Sequence, residues 1–231
     1  MTTLDGPSTA IIMEIHRQLR DRYGDPPHHP DGDPLAALVN TILSQNTNDR
    51  NRDIAFAALR ARFPTWEAVR DAPTDAVIDA IRPAGLAPTK GPNIQAALRQ
   101  ITEERGELSL AFLETLPPEE ARRWLTKLNG VGPKTAAIVL LFALGRPAFP
   151  VDTHIHRVTR RLGLIPQNTS REKAHTLLES LIPPALYWTL HLNLIAHGRQ
   201  ICHARRPLCT ECPLQTHCAF FQTSQAGGKS I

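Results

Sequence analysis

LNGVGPKTAAIVLLFAL, residues 128–144, joins one helical pattern to a second, apolar helix through Gly130-Val131-Gly132. Two glycines one residue apart open backbone conformations closed to residues with a β-carbon. They also leave consecutive N–H groups free at the start of the next helix, where the helix dipole favours an anion such as phosphate. Pro133 suits the first turn of that helix, where its missing donor costs little. A hairpin of this kind is also an ordinary connection between helices, and alone it selects no ligand. Lys134 changes the weighting. It follows at a helix N-terminus, where a cation is electrostatically disfavoured. A lysine so placed, if partly desolvated, holds more of the neutral amine that attacks carbon. The plainer reading is a surface lysine touching phosphate.

Outward from the hairpin the chain reads as nearly all helix. Residues 9–22, 34–44, 50–62, 89–104, 118–127, 134–144, 153–162, 171–182 and 185–197 carry apolar side chains at spacings of three and four. Segment 34–44, PLAALVNTILS, is apolar nearly all round and is expected to be a central buried helix. Pro/Gly clusters such as DPPHHPDGDP, IRPAGLAPTKGP and ALGRPAFP separate the helices. No alternating run of β-branched residues predicts a sheet. The last dozen residues, ending SQAGGKSI, read as a frayed tail.

Asp152, in FPVDTHIHRV, is placed as a helix N-cap. A carboxylate there could also steady positive charge developing on a sugar, or move protons. His154 and His156 lie two apart, so on a helix they share no face and make a poor metal pair. His28 and His29, in the Pro-rich loop, carry no usable signal.

The four cysteines, Cys202, Cys209, Cys212 and Cys218, lie within seventeen residues as C-x₆-C-x₂-C-x₅-C. Four clustered thiolates suit a closed metal or iron–sulfur site. Disulfides fit poorly, because such frameworks belong to short secreted chains. The N-terminal residues lack a signal-peptide pattern, no stretch is long and apolar enough to span a bilayer, and the protein is expected in the cytosol. Zinc and an iron–sulfur cluster both remain open. Most zinc sites pair two C-x₂-C knuckles, whereas here only Cys209 and Cys212 form one, and the wider gaps favour a bulkier cluster. His203 and His217 are spare ligand candidates beside the cysteines.

The 231 residues can bury a substantial core. A net charge of +4 and a pI near 9.1 favour a polyanionic partner without specifying one. Arginine far outnumbers lysine, and the only lysines are Lys90, Lys127, Lys134, Lys173 and Lys229.

Taken in order, LNGVGPKTA, VDTHIHRV, AHGRQIC and the cysteine ending make the chain, from about Asp33 to Phe221, resemble the endonuclease III family of DNA glycosylases, within the helix–hairpin–helix superfamily. The resemblance implies an all-α, two-domain fold with a DNA groove between the domains. A six-helix barrel with the hairpin would span 28–147, and an iron–sulfur domain would combine 1–27 with 148–231. It implies that Cys202, Cys209, Cys212 and Cys218 hold a [4Fe–4S] cluster, that Lys134 is the catalytic lysine and Asp152 the catalytic aspartate. The expected activity is bifunctional: release of oxidised or ring-saturated pyrimidines, then strand nicking at the abasic site. The partner would be double-stranded DNA containing damaged bases or abasic sites, bound by a monomer. A damage-binding module with little catalysis is the alternative, and retention of both Lys134 and Asp152 argues against it. The Gly130, Val131 and Gly132 hairpin, together with Arg205 and Arg206, would hold the backbone. Asn46, in ILSQNTNDRN with Gln45 beside it as a further DNA contact, and Leu86, in the wedge loop, would fill the stack left by an extruded base. Asn46 falls where many members carry glutamine, Asn129 replaces a common proline and Pro133 a common arginine. Thr126 stands where relatives often carry an acid.

Overall fold

Helix α2 (Pro34–Ser44) shows how the chain builds its elements. Pro34 sits at the first helical position, and the Asp33 carboxylate caps the end by accepting from the Leu35 N–H at 2.9 Å. Leu38, Ile42 and Leu43 are fully buried, as the all-round apolar pattern predicts. The other carboxylate oxygen of Asp33 accepts from Trp66 Nε1 at 2.7 Å. Asp33→Ala removes the cap and leaves a largely buried indole N–H without its acceptor. It is expected to lower unfolding free energy by about 1–3 kcal/mol, read by urea denaturation.

The computed structural model describes residues 9–27 and 32–226. Among them are twelve α-helices and no strand, so the fold is all-α. The chain divides into two compact units, His29–Arg146 and Met1–His28 with Pro147–Ile231.

The first unit holds α2, α3 (Asp49–Arg62), α4 (Trp66–Asp71), α5 (Thr74–Ala80), α6 (Ala87–Arg105), α7 (Pro118–Leu125) and α8 (Pro133–Ile138), which runs on as a π-helical turn over Val139–Ala143. Helix α2 packs against α3, α6 and α8 at its centre. Two short helices, α4 and α5, are absent from the sequence reading. Their length is set from elsewhere: buried Gln95 of α6 donates to the Val69 and Ala72 carbonyls at 3.0 and 2.8 Å, closing the end of α4. Helix α6 starts at Ala87, two residues ahead of the expected 89–104, and takes the end of the Pro/Gly cluster into its first turns. Pro88 is harmless so near the start. Gly91 is needed for close approach, since a β-carbon there would lie 2.9 Å from Ile78 Cγ1 of α5.

The second unit holds α1 (Thr9–Tyr23), α9 (Thr153–Leu162), α10 (Arg171–Leu181), α11 (Tyr187–Gln200) and α12 (Ala219–Ala226). Helix α11 packs against both α1 and α9. Gly198 permits this contact, because a β-carbon would come 2.8 Å from His154 Cβ. Helix α12 corrects the expectation of a frayed tail. It packs on α9, and the Arg161 guanidinium lies 4.7 Å from the Phe220 ring centroid. Residues 227–231 of that tail, and His28 and His29, lie outside the described residues.

Candidate functional site

The hairpin lies between α7 and α8. Gly130 has φ +75°, the left-handed region that favours glycine, and a β-carbon there would crowd the Asn93 side chain at 3.0 Å. Gly132 differs from that reading. Its backbone is extended (φ −95°, ψ −179°), which any residue adopts, and nothing of the protein lies within 4 Å of a β-carbon built there. The space beside Gly132 is therefore open to a ligand. Val131 is buried beneath it. Lys134 follows in the first turn of α8 and is exposed, so the folded chain does not itself supply the partial desolvation considered from the sequence.

Two loops of the same unit carry further candidates, one after α2 that bonds to the hairpin and one before α6. Gln45 caps the end of α2, and its side-chain amide donates to the Gly130 carbonyl at 2.8 Å, so it braces the hairpin. Asn46 follows, exposed and left-handed at φ 53°. Leu86, before α6, is also left-handed at φ 50° and is 56% exposed. An exposed leucine in this conformation is doubly unfavourable, since its side chain gains little packing and its backbone is strained.

In the other unit, Asp152 is the N-cap of α9, its carboxylate accepting from the Ile155 N–H at 2.8 Å. The segment just before it is held by two buried histidines and a half-buried glutamate. His175 and His191 donate to the Phe149 and Pro150 carbonyls at 3.0 Å each, and Glu179 accepts from the Phe149 N–H at 2.6 Å. His154 and His156 serve local packing: His156 Nε2 meets the Thr169 carbonyl at 2.8 Å.

The four cysteines line one partly open pocket together with Val158, Leu162, Ile201, Phe220 and the Arg161 stem. Two arginines of α9, four residues apart, hold the cysteine loop. Arg157 donates to the Gly198 and Cys202 carbonyls at 2.8 and 2.9 Å, and Arg161 to the His203 carbonyl at 2.6 Å and to Cys202 Sγ at 3.2 Å. Sequence reasoning misses these arginines, since HRVTRRL carries only the i, i+4 spacing as a signal. His197 links Tyr23 Oη, 3.1 Å from Nδ1, to Cys212 Sγ, 3.5 Å from Nε2. Burial pushes His197 down to about 4, helped by the Arg22 charge, so the ring is neutral and can present one N–H to sulfur. Burial and the neighbouring thiols push Cys212 up to about 11 and raise Cys209 and Cys218. Such thiols become thiolates when iron supplies the compensating charge. Among the described residues no three His, Cys, Asp or Glu side chains form a group around a single ion. Four thiols line one pocket, with the Arg161 guanidinium and a His197 ring nitrogen beside two of the sulfurs, a lining that fits an iron–sulfur cluster held by four thiolates. Arg205 and Arg206 lie exposed on this loop, and Arg206 is left-handed at φ 49°. No helix among the described residues is long and apolar enough to cross a membrane.

The HhH-GPD superfamily of base excision DNA repair proteins matches residues 39–184, and the iron–sulfur binding domain of endonuclease III matches residues 202–218. Endonuclease III of Thermotoga maritima is 34% identical over 217 residues, covering 94% of this chain and 96% of that protein. An Arabidopsis thaliana protein with a provisional DNA glycosylase name is 41% identical over 165 residues, and the chain spans 56% of its length. A solved non-covalent complex of endonuclease III with DNA aligns over 95% of this chain and 99% of that one, with a TM-score of 0.80 and 27% identity. With the superfamily match covering more than half of its length and the cysteine loop matching its iron–sulfur domain, the chain belongs to the endonuclease III family of helix–hairpin–helix base excision repair proteins.

Proposed function

We propose that this chain is a bifunctional DNA N-glycosylase and abasic-site lyase that removes oxidised or ring-saturated pyrimidines from duplex DNA. The observation that carries the reading is Lys134, exposed at the first turn of α8 directly after a hairpin whose Gly132 leaves room for a backbone phosphate. A base inside a duplex is out of reach, so the nucleotide is extruded first. All three left-handed non-glycine residues among those described, Asn46, Leu86 and Arg206, belong to the set read as DNA contacts. Strain of this kind is kept where surrounding structure enforces it, commonly at binding sites. Leu86 and Asn46 would enter the stack, and the hairpin with Arg205 and Arg206 would grip the backbone without reading sequence.

DNA lying over the hairpin would exclude water from Lys134 and so favour its neutral amine. The lysine nitrogen bonds to the sugar's anomeric carbon while the bond from that carbon to the base breaks, and the base leaves with the bonding electrons and takes its proton from solvent. Asp152 accepts the proton shed by the lysine and offsets positive charge on the sugar. The sugar ring then opens: the bond from the anomeric carbon to the ring oxygen breaks, Asp152 passes its proton to that oxygen, and the nitrogen lone pair closes an imine that acidifies the proton on the adjacent carbon. Loss of that proton expels the 3′ phosphate by β-elimination, which nicks the strand on the 3′ side. Cys202, Cys209, Cys212 and Cys218 would hold the [4Fe–4S] cluster, which ties the C-terminal loop to α9. We read 28–147 as the barrel and 1–27 with 148–231 as the cluster domain, supported by the two compact units. The setting we propose is the cytoplasm of a bacterial or archaeal cell, with a monomer acting on the nucleoid.

A panel of duplexes, each with one lesion, scored separately for base release and for nicking, tests the reading. Release of a ring-saturated pyrimidine with a nick is the expected result. Binding without either product would leave only a damage-binding module. In the same assay Leu86→Ala is expected to slow excision roughly ten- to a hundredfold, which corresponds to removing about 1.5–3 kcal/mol of apolar packing from the stack.

A further inference from the structure

Lys90 is 2% exposed, although lysine is among the residues least often buried. Its Nζ donates to the Leu43 carbonyl and to the Ala84 carbonyl, each at 2.8 Å. No carboxylate among the described residues faces it, and burial alone pulls its ammonium below the usual lysine value. An unpaired buried cation is costly, and here charge-assisted bonds to two carbonyls are what offset that cost.

Both acceptors stand beside a proposed insertion loop. Leu43 lies in the last turn of α2, where carbonyls lack helical partners and the dipole favours a cation, and Asn46 follows three residues later. Ala84 ends the 3₁₀ turn Arg82–Ala84, two residues before Leu86, and that turn packs against α3, the helix that begins beyond Asn46. The backbone N–H of Lys90 also bonds to the Leu86 carbonyl at 2.9 Å. One residue thus ties the end of α2 to both sides of the Leu86 turn.

We propose that Lys90 is a positioning residue for base extrusion: its buried ammonium locks the loop carrying Asn46 to the loop carrying Leu86, so that the two side chains enter the duplex at a fixed spacing. The proposal rests on the glycosylase reading and assigns no chemical step to Lys90. Methionine is its nearest apolar equivalent in length and gives up both bonds.

The test compares single-turnover base release from a thymine-glycol duplex with nicking of a duplex that already holds an abasic site. An abasic nucleotide is weakly stacked and needs little wedging. Lys90→Met should lose roughly ten- to a hundredfold in base release, as a misplacement near 1 Å does, and only about threefold or less in nicking. A 2-aminopurine beside the lesion should report correspondingly less unstacking. In the Lys90→Met background, Leu86→Ala should cost much less than in the parent, because the wedge is already out of place. Equal losses on both substrates, or full additivity with Leu86→Ala, would overturn the proposal. If Lys90→Met does not fold, Lys90→Gln, which keeps amide donors but no charge, takes its place in the same comparison. Failure of both to fold makes Lys90 a purely structural residue and also overturns it. A parent that neither releases base nor nicks defeats the glycosylase reading itself, and the clamp with it. An active parent with an unaffected Lys90→Met defeats the clamp alone.

Discussion

Lys134→Gln is expected to abolish covalent trapping by borohydride on a thymine-glycol duplex and to lower nicking by ~10⁴-fold or more, the scale on which removal of a nucleophile acts. Glutamine keeps the length of the side chain and its fit on an exposed turn, so folding and DNA affinity should change little. Asp152→Asn is the informative companion. Asparagine caps a helix as well as aspartate does, so α9 should keep the bond to the Ile155 N–H. What it loses is the charge and the proton acceptor. Base release should fall, by about 10²–10³-fold on the scale of general acid–base catalysis, while slow trapping through Lys134 persists. The two variants thus separate the bond-forming residue from the residue that assists it. Trapping by Lys134→Gln at the parent's level would remove Lys134 from the chemistry.

How much of this is legible in the sequence depends on how local each cause is. The core position of α2 follows from eleven consecutive residues, and the Asp152 cap from the four that follow one another in VDTH, so both are readable. The G-x-G hairpin is readable as a motif, but not the different reasons for its two glycines. Gly130 answers to a left-handed backbone, whereas Gly132 answers to open space that belongs to no residue of the chain. Leu86 is found only through resemblance, since leucine has no intrinsic preference for the conformation it adopts here. Helix α4 escapes the sequence reading because its end is capped by Gln95, more than twenty residues away. The grip of Arg157 and Arg161 on the cysteine loop is hidden for the same reason, with carbonyl acceptors over forty residues downstream. Carbonyl acceptors carry no sequence signature. Lys90 stands out as one of few lysines, but its burial cannot be read from the sequence, because both of its acceptors are backbone carbonyls.

Losing the cluster should have the second large effect, and on stability rather than on bond chemistry. The cysteine loop, residues 202–218, carries short 3₁₀ turns at Cys209–Glu211 and Gln215–His217 but no long helix, and of its residues only Leu214 and Cys218 are buried. Little apolar packing holds it in place. Its side-chain ties include the arginine bonds from α9 and the His197 contact with Cys212, and a few backbone bonds such as Leu208 N–H to the Ile201 carbonyl add to them. A cluster that binds the folded state alone adds its binding free energy to stability. Cys212→Ala is therefore expected to abolish the brown visible absorbance and to cost about 3–5 kcal/mol, a fall in thermal midpoint of roughly 10–15 °C for a chain of this size. The left-handed Arg206 sits in the same loop, so DNA affinity should drop with the cluster, and the salt dependence of binding should flatten as fewer phosphates are engaged. Helices α2 to α8, in the other unit, contain none of these ties. Their hydrogen-exchange protection should stay near the parent's while that of α9 and α12 falls. A Cys212→Ala protein that retains colour would remove Cys212 from the cluster's ligands, and one that turns colourless with no change in midpoint or in salt dependence would show that the loop holds its place without the cluster.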